Sequence, residues 1–175
     1  HPGNAIFMTF GNIPAAELQA RFENQALSRF GKLDVTIAVP DEKRYLAPLR
    51  VEEAYPFDDE GSDAHKSHIV LGWLLGSTTD LMESMEAHLL CSVLLDNSAS
   101  PLLKALETTD LGTSPSPLCG LDDSQRELCF VCGIEGSDPD RAGALENLVL
   151  DVIRNVAEQG VDHQQVAASL HQLEL

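Results

Sequence analysis

Between residues 68 and 107 the apolar positions change period twice. Ile69 to Leu75 (IVLGWLL) is an unbroken apolar run, too short to span a membrane and bounded by turn formers. It predicts a strand buried on both faces. From Leu81 to Leu95 the period becomes helical, and apolar residues (Met82, Met85, Leu89, Leu90, Val93, Leu94) surround most of the turn, which predicts a largely buried helix. Thr79 or Asp80 is placed to cap it, with Glu83 set to bond back. Ser100 followed by Pro101 predicts a second, short helix, a cap with proline at the first turn.

The flanking sequence reads in the same way. Residues 5–10 form a short apolar run that predicts a strand. Pro14 opens a helix with Leu18, Phe22, Ala26 and Phe30 on its inner stripe, ended by Gly31. Residues 33–39 alternate (Val35, Ile37, Val39) and predict a strand that stops at Pro40, and a further strand is expected at residues 50–55. Residues 111–118 (LGTSPSPL) are small and proline-broken, so they can only be a loop or an edge strand. Residues 126–135 predict a strand with Leu128, Phe130 and Cys132 on one face. Asp138-Pro139 is another cap-plus-proline start, for a helix over residues 140–159 with Leu145, Leu148, Val149, Val152 and Val156 inward and Gly160 at its end. Asp162 and Gln165 begin a last helix with Val166, Leu170 and Leu173 inward. The pattern predicts one α+β domain over residues 1–175, a mostly antiparallel or mixed sheet with helices mainly on one face.

The stretch IVLGWLLGSTTDLMESMEAHLLCSVLLDNSASPLLKALE resembles the second, non-catalytic domain of pitrilysin-type zinc metallopeptidases, in the presequence-protease and falcilysin-like subgroup. The opening HPGNAIFMTFGN and the closing VAASLHQLEL resemble the same subgroup, so the likeness covers nearly the whole chain. The resemblance implies a sheet covered by helices. It implies a parent protein of two similar halves closing around a chamber, with zinc held by H-x-x-E-H in the first domain. An arginine and a tyrosine of the site come from the second half, and none of these positions falls in this chain. The implied partners are the zinc-bearing domain and the second half of the same parent chain, together with an unstructured peptide substrate. The second domain walls the chamber, and an exposed strand in it pairs with the substrate backbone. By position after SPLLKALE, that strand corresponds to Gly112, Thr113 and Ser114.

Composition changes the picture in one respect. At 175 residues, with 43% apolar and 22% charged residues, the chain suits one ordinary globular domain, but its net charge of −17 does not. Such a charge argues against nucleic acid, which needs a basic footprint, and against an anionic membrane surface; a cationic peptide would be compatible. Residues 52–63 hold six acids and no base and predict a solvated loop. There is no signal-peptide pattern and no run near the roughly 20 apolar residues of a membrane helix. His1-Pro2 at the start and an uncapped helix at Leu175 lead to the expectation of a piece excised from a longer protein, resident in a bacterial cytoplasm or an organelle matrix.

The candidate chemistry is defined by what is missing. No H-x-x-E-H occurs, although it is the arrangement that puts two zinc ligands and a base on one helix face. His65 and His68 share only the outer spacing, and on a strand they would face apart. His163 and His171 are two helical turns apart, too far to share one ion. Cys129 and Cys132 form C-x-x-C within a strand pattern and would likewise diverge. His88 is expected to be a partly buried histidine beside Glu83, Glu86 and Cys91. Catalytic and metal residues are expected to be absent from this chain, with zinc belonging to the parent. Two other readings remain: a structural or partner subunit of the same fold, like an inactive processing-peptidase or a respiratory core subunit, and a free-standing acidic peptide-binding module.

Overall fold

The computed structural model describes residues 1–34, 37–56 and 64–173. The chain divides into two compact units, His1–Pro40 and Asp41–Leu175. Val35 and Thr36 of the expected strand at residues 33–39, and residues 57–63 of the acidic loop, lie outside the described residues.

In the first unit, helix α1 (Ala15–Gln25) follows Pro14. Leu18 and Phe22 are its half-buried positions, and the Phe22 ring lies 4.8 Å from that of Phe7. The helix stops short of Gly31 because residues Leu27–Arg29 tighten into a 3-10 turn. Residues 5–10 do not form the expected strand. Their apolar pattern has no ladder partner among the described residues, and Phe10 is 98% exposed.

The second unit holds the sheet. Strand β1 (Ser67–Ser77) leads to α2 (Leu81–Leu95) and α3 (Pro101–Thr108). The short strands β2 (Ser114–Pro115) and β3 (Gly120–Asp122) precede the long β4 (Glu127–Ser137), and α4 (Ala142–Gln159) and α5 (His163–Leu173) follow. β4 is the central strand. It pairs antiparallel with β1 along one side and with β2 and β3 along the other.

Register decides which face is the core. Ile69, Leu71 and Trp73 lie opposite Ile134, Cys132 and Phe130, so these six share one face. Against it pack Leu94 of α2, Leu102 and Leu106 of α3, and Leu145 and Val149 of α4. Fully burying a leucine such as Leu102 or Leu145 is worth about 1.5–3 kcal/mol. The other face of β1 remains partly open, with Val70 41% exposed, which corrects the expectation of burial on both faces. Among the described residues of this unit α2, α3 and α4 pack on one side, and a strand can be no more buried than its less covered face.

The same limit applies to α2. Its boundaries are those expected, and Asp80 caps it, its Oδ1 accepting from the N–H of Met82 (2.9 Å) and of Glu83 (3.1 Å). Glu83 bonds back to the N–H of Ser77 at 2.7 Å, three residues before the cap itself. Only Ala87, Val93 and Leu94 are buried, whereas Leu81, Met82, Met85 and Leu90 are exposed, so the helix is less enclosed than its composition predicts. α5 is turned relative to expectation. Ser169 is its buried residue and Leu170 and Leu173 face outward, because the Gln165 amide reaches under α2 to the Val93 carbonyl at 3.1 Å and the Ser100 hydroxyl at 3.3 Å.

Candidate functional site

Gly112, Thr113 and Ser114 lead into and begin the short outer strand β2, on the side of β4 opposite β1. Each is fixed to the end of β4 in a different way. Gly112 approaches so closely that a Cβ there would lie 2.8 Å from the Glu135 carbonyl oxygen and 2.9 Å from Ile134 Cδ1. Thr113 donates to that same carbonyl twice, from its N–H at 2.9 Å and its hydroxyl at 3.2 Å. The Ser114 hydroxyl donates to Glu135 Oε1 at 2.9 Å. Beneath Thr113 the backbone of Gly136 takes a φ of +66°, and a Cβ there would fall 1.9 Å from Thr113 Oγ1.

The segment is anchored on both sides. The Ser137 hydroxyl donates to the Leu111 carbonyl at 2.6 Å, Arg141 to the Asp110 carbonyl at 2.7 Å, and the Ser116 N–H to the Gly133 carbonyl at 2.9 Å. The result is a short, rigid edge bonded to its sheet on one side. Such an edge loses little freedom when a second strand adds to it. The Thr113 N–H is already committed to β4 and points inward.

Around this edge the charges are mostly negative. Glu135 also faces His68, Nδ1 to Oε2 at 4.0 Å. Asp138, beyond the end of β4, accepts from the His65 backbone N–H at 2.7 Å and faces its ring Nδ1 at 2.8 Å. The His65 N–H holds the Asp138 carboxyl below the usual carboxylate range, aided by the charges of His65 and Arg141 and opposed by partial burial. His65 adopts φ +58° to make this contact. The Asp138 side chain, expected to cap α4, is therefore used elsewhere, and a 3-10 turn at Pro139–Arg141 starts the helix instead.

These contacts build no nucleophile. His65, His68 and His88 face carboxylates rather than hydroxyls, and His88 is the partly buried histidine expected, with Asp123 at 3.2 Å as its partner. Cys132 is buried on the helix face of β4, where burial pushes its thiol up to about 12. Cys129, three residues earlier, is only half-buried, as opposite strand faces require. Among the described residues no three His, Cys, Asp or Glu side chains are grouped so as to hold a metal ion. The described residues do not fit the zinc that the resemblance assigns to the parent.

Sequence reasoning missed a second group. Arg44, Arg50 and Tyr55 reach from residues 44–55 to β1, β4 and α4. The signal nearest to them is the strand expected at residues 50–55, between Pro48 and Pro56.

Comparison with known proteins places the chain in a family. The family model described as the peptidase M16 inactive domain matches residues 1–173. The mitochondrial presequence protease of Xenopus laevis is 34% identical over 176 residues, that of Emericella nidulans 32% over 177, and that of Mus musculus 31% over 176. Each alignment takes in 100% of this chain and 17% of the relative. The chain spans about a sixth of the length of these relatives, and it belongs to the peptidase M16 inactive-domain family.

Proposed function

We propose that this chain is the non-catalytic chamber-wall domain of a zinc metalloendopeptidase that degrades unstructured peptides, inactive by itself. Its work is to present the Gly112–Ser114 edge to an extended peptide while the zinc-bearing domain of the same parent cleaves it. The observation that carries this reading is the end-to-end match to an inactive M16 domain in proteins named presequence proteases. The rigid β2 edge supports it, since backbone pairing is sequence-tolerant and suits varied, unfolded substrates.

The exposed apolar side chains of α2 (Leu81, Met82, Met85 and Leu90) supply a surface for packing on the zinc-bearing domain. The net charge of −17 favours basic peptides, and the mitochondrial relatives suggest an organelle matrix as the compartment.

The test is made on the full-length protein. It should contain zinc, and its hydrolysis of an unstructured peptide should stop with a chelator. Thr113→Pro should raise KM for that peptide about tenfold or more, because it removes the N–H that holds the edge on Glu135. Absence of zinc would move the function to a scaffold or partner subunit. Unchanged KM would remove the edge from substrate binding.

A further inference from the structure

Among the described residues β1 pairs with β4 alone, so one row of its backbone groups points away from the sheet. An 11-residue edge strand with Ile69, Val70, Leu71, Trp73 and Leu74 is a pairing template that folded proteins keep covered. Residues 44–55 are tied along this edge. The Tyr55 hydroxyl donates to the Lys66 carbonyl, and the Tyr55 ring meets that of His68 edge-on at 5.9 Å. At the other end Arg44 donates to the Leu75 carbonyl at 3.1 Å and pairs with Glu127. The tie points occur in reverse order along β1, so the segment lies antiparallel to it. Between them Arg50 bonds Glu146 on α4 through Nη2 at 2.7 Å. A cleft of about 1070 Å³ separates the segment from β1, with Leu49, Val51, Val70 and Trp73 among its walls.

We propose that residues 48–55 close onto β1 as a fifth, antiparallel strand that shuts this edge of the sheet to incoming peptides. Placing Tyr55 opposite Lys66 fixes the register: Val51 then faces Val70, and Leu49 faces Gly72. Arg44 falls opposite Ser77, within side-chain reach of Leu75 across the irregularity between Leu74 and Ser77. The faces agree independently. Arg50 points to the helix side through Glu146, so its neighbours Leu49 and Val51 point to the open face, where Val70 is half-exposed. Closure makes a β-branched Val51–Val70 pair from a valine that is now 78% exposed. Pro48 stands at the first position of the new strand, where a missing N–H is tolerated. The sheet then has one open edge, the β2 side. Closure itself does not depend on the proposed peptidase role, and its tests need no activity.

In the full-length protein, Val51→Cys combined with Val70→Cys should cross-link on mild oxidation, read as a linked peptide by mass spectrometry. Val51→Cys with Leu74→Cys, on the same face but about 13 Å further along the strand, should link at least tenfold less. Equal yields, or no link in the first pair, would overturn the proposal. Hydrogen exchange gives a second arm. The outward half of the β1 amides should be protected in the wild type and should exchange about tenfold faster or more in Val51→Pro, which cannot donate to the new ladder. If these amides are unprotected, or keep their protection in Val51→Pro, something other than residues 48–55 occupies the edge and the proposal fails.

Discussion

Gly136→Ala tests the contact that seats the β2 edge. The backbone there has φ +66°, and a non-glycine residue in the left-handed region costs about 1–2 kcal/mol. The new methyl would also fall 1.9 Å from Thr113 Oγ1 and 2.8 Å from both Thr113 Cβ and Cγ2. Thr113 must therefore leave its place, and with it go the two bonds to the Glu135 carbonyl, each worth about 1 kcal/mol net. The expected total is about 3–4 kcal/mol. In a Thr113→Gly background the clash and the hydroxyl bond are already absent, and the alanine should cost only its backbone strain, about 1–2 kcal/mol. The coupling between the two sites should therefore be about 2 kcal/mol. Urea unfolding of the four proteins in the cycle measures it, provided the slope with denaturant stays constant. A coupling below about 0.5 kcal/mol would mean that Thr113 does not rest on Gly136, and the rigid edge would lose its foundation.

Three further outcomes follow from single contacts. Asp80→Ala should lower stability by about 1 kcal/mol, because two N–H groups at the start of α2 lose their acceptor, and Asp80→Asn should recover most of it on thermal melting. The Arg44 side chain and then the Glu42 N–H hold the Glu127 carboxyl below its usual value of 4.5. Its contribution is therefore present above that pH and is lost as pH falls through the lower folded value; Glu127→Gln should flatten the acid limb of stability against pH, and an unaltered limb would contradict the pairing. Under native conditions Cys132 should resist alkylation at pH 8 while Cys129 reacts more readily, as mass spectrometry of the labelled peptides would show.

Legibility in the sequence followed the range of the forces involved. α2 could be bounded to the residue because Asp80 and the apolar run that follows are local signals. β4 with its inward Leu128, Phe130 and Cys132, and the close of α4 at Gly160 (φ +75°), were read from local pattern in the same way. What depended on a distant partner was not legible. Residues 5–10 are a short apolar run like a strand, but such a run does not supply a ladder. The outward turn of Leu170 and Leu173 depends on where the Gln165 amide finds Val93, 72 positions away. Gly112–Ser114 could be placed only through the family resemblance. The reason Gly112 must be glycine, a carbonyl 2.8 Å from its missing Cβ, belongs to Glu135 and leaves no mark in the local sequence.

The central position of β4 has a consequence for how the chain is made. The pairs that hold β1 on β4 span between 50 positions, from Ser77 to Glu127, and 70, from Ser67 to Ser137. A ribosome adding roughly 5–20 residues per second needs several seconds to cover that interval, and during it β1 lacks β4, the strand it pairs with along its length. The domain cannot assemble from its start as it emerges. The sheet must wait for its last strand, and until then newly made β1 is an unpaired apolar edge of the kind that favours aggregation.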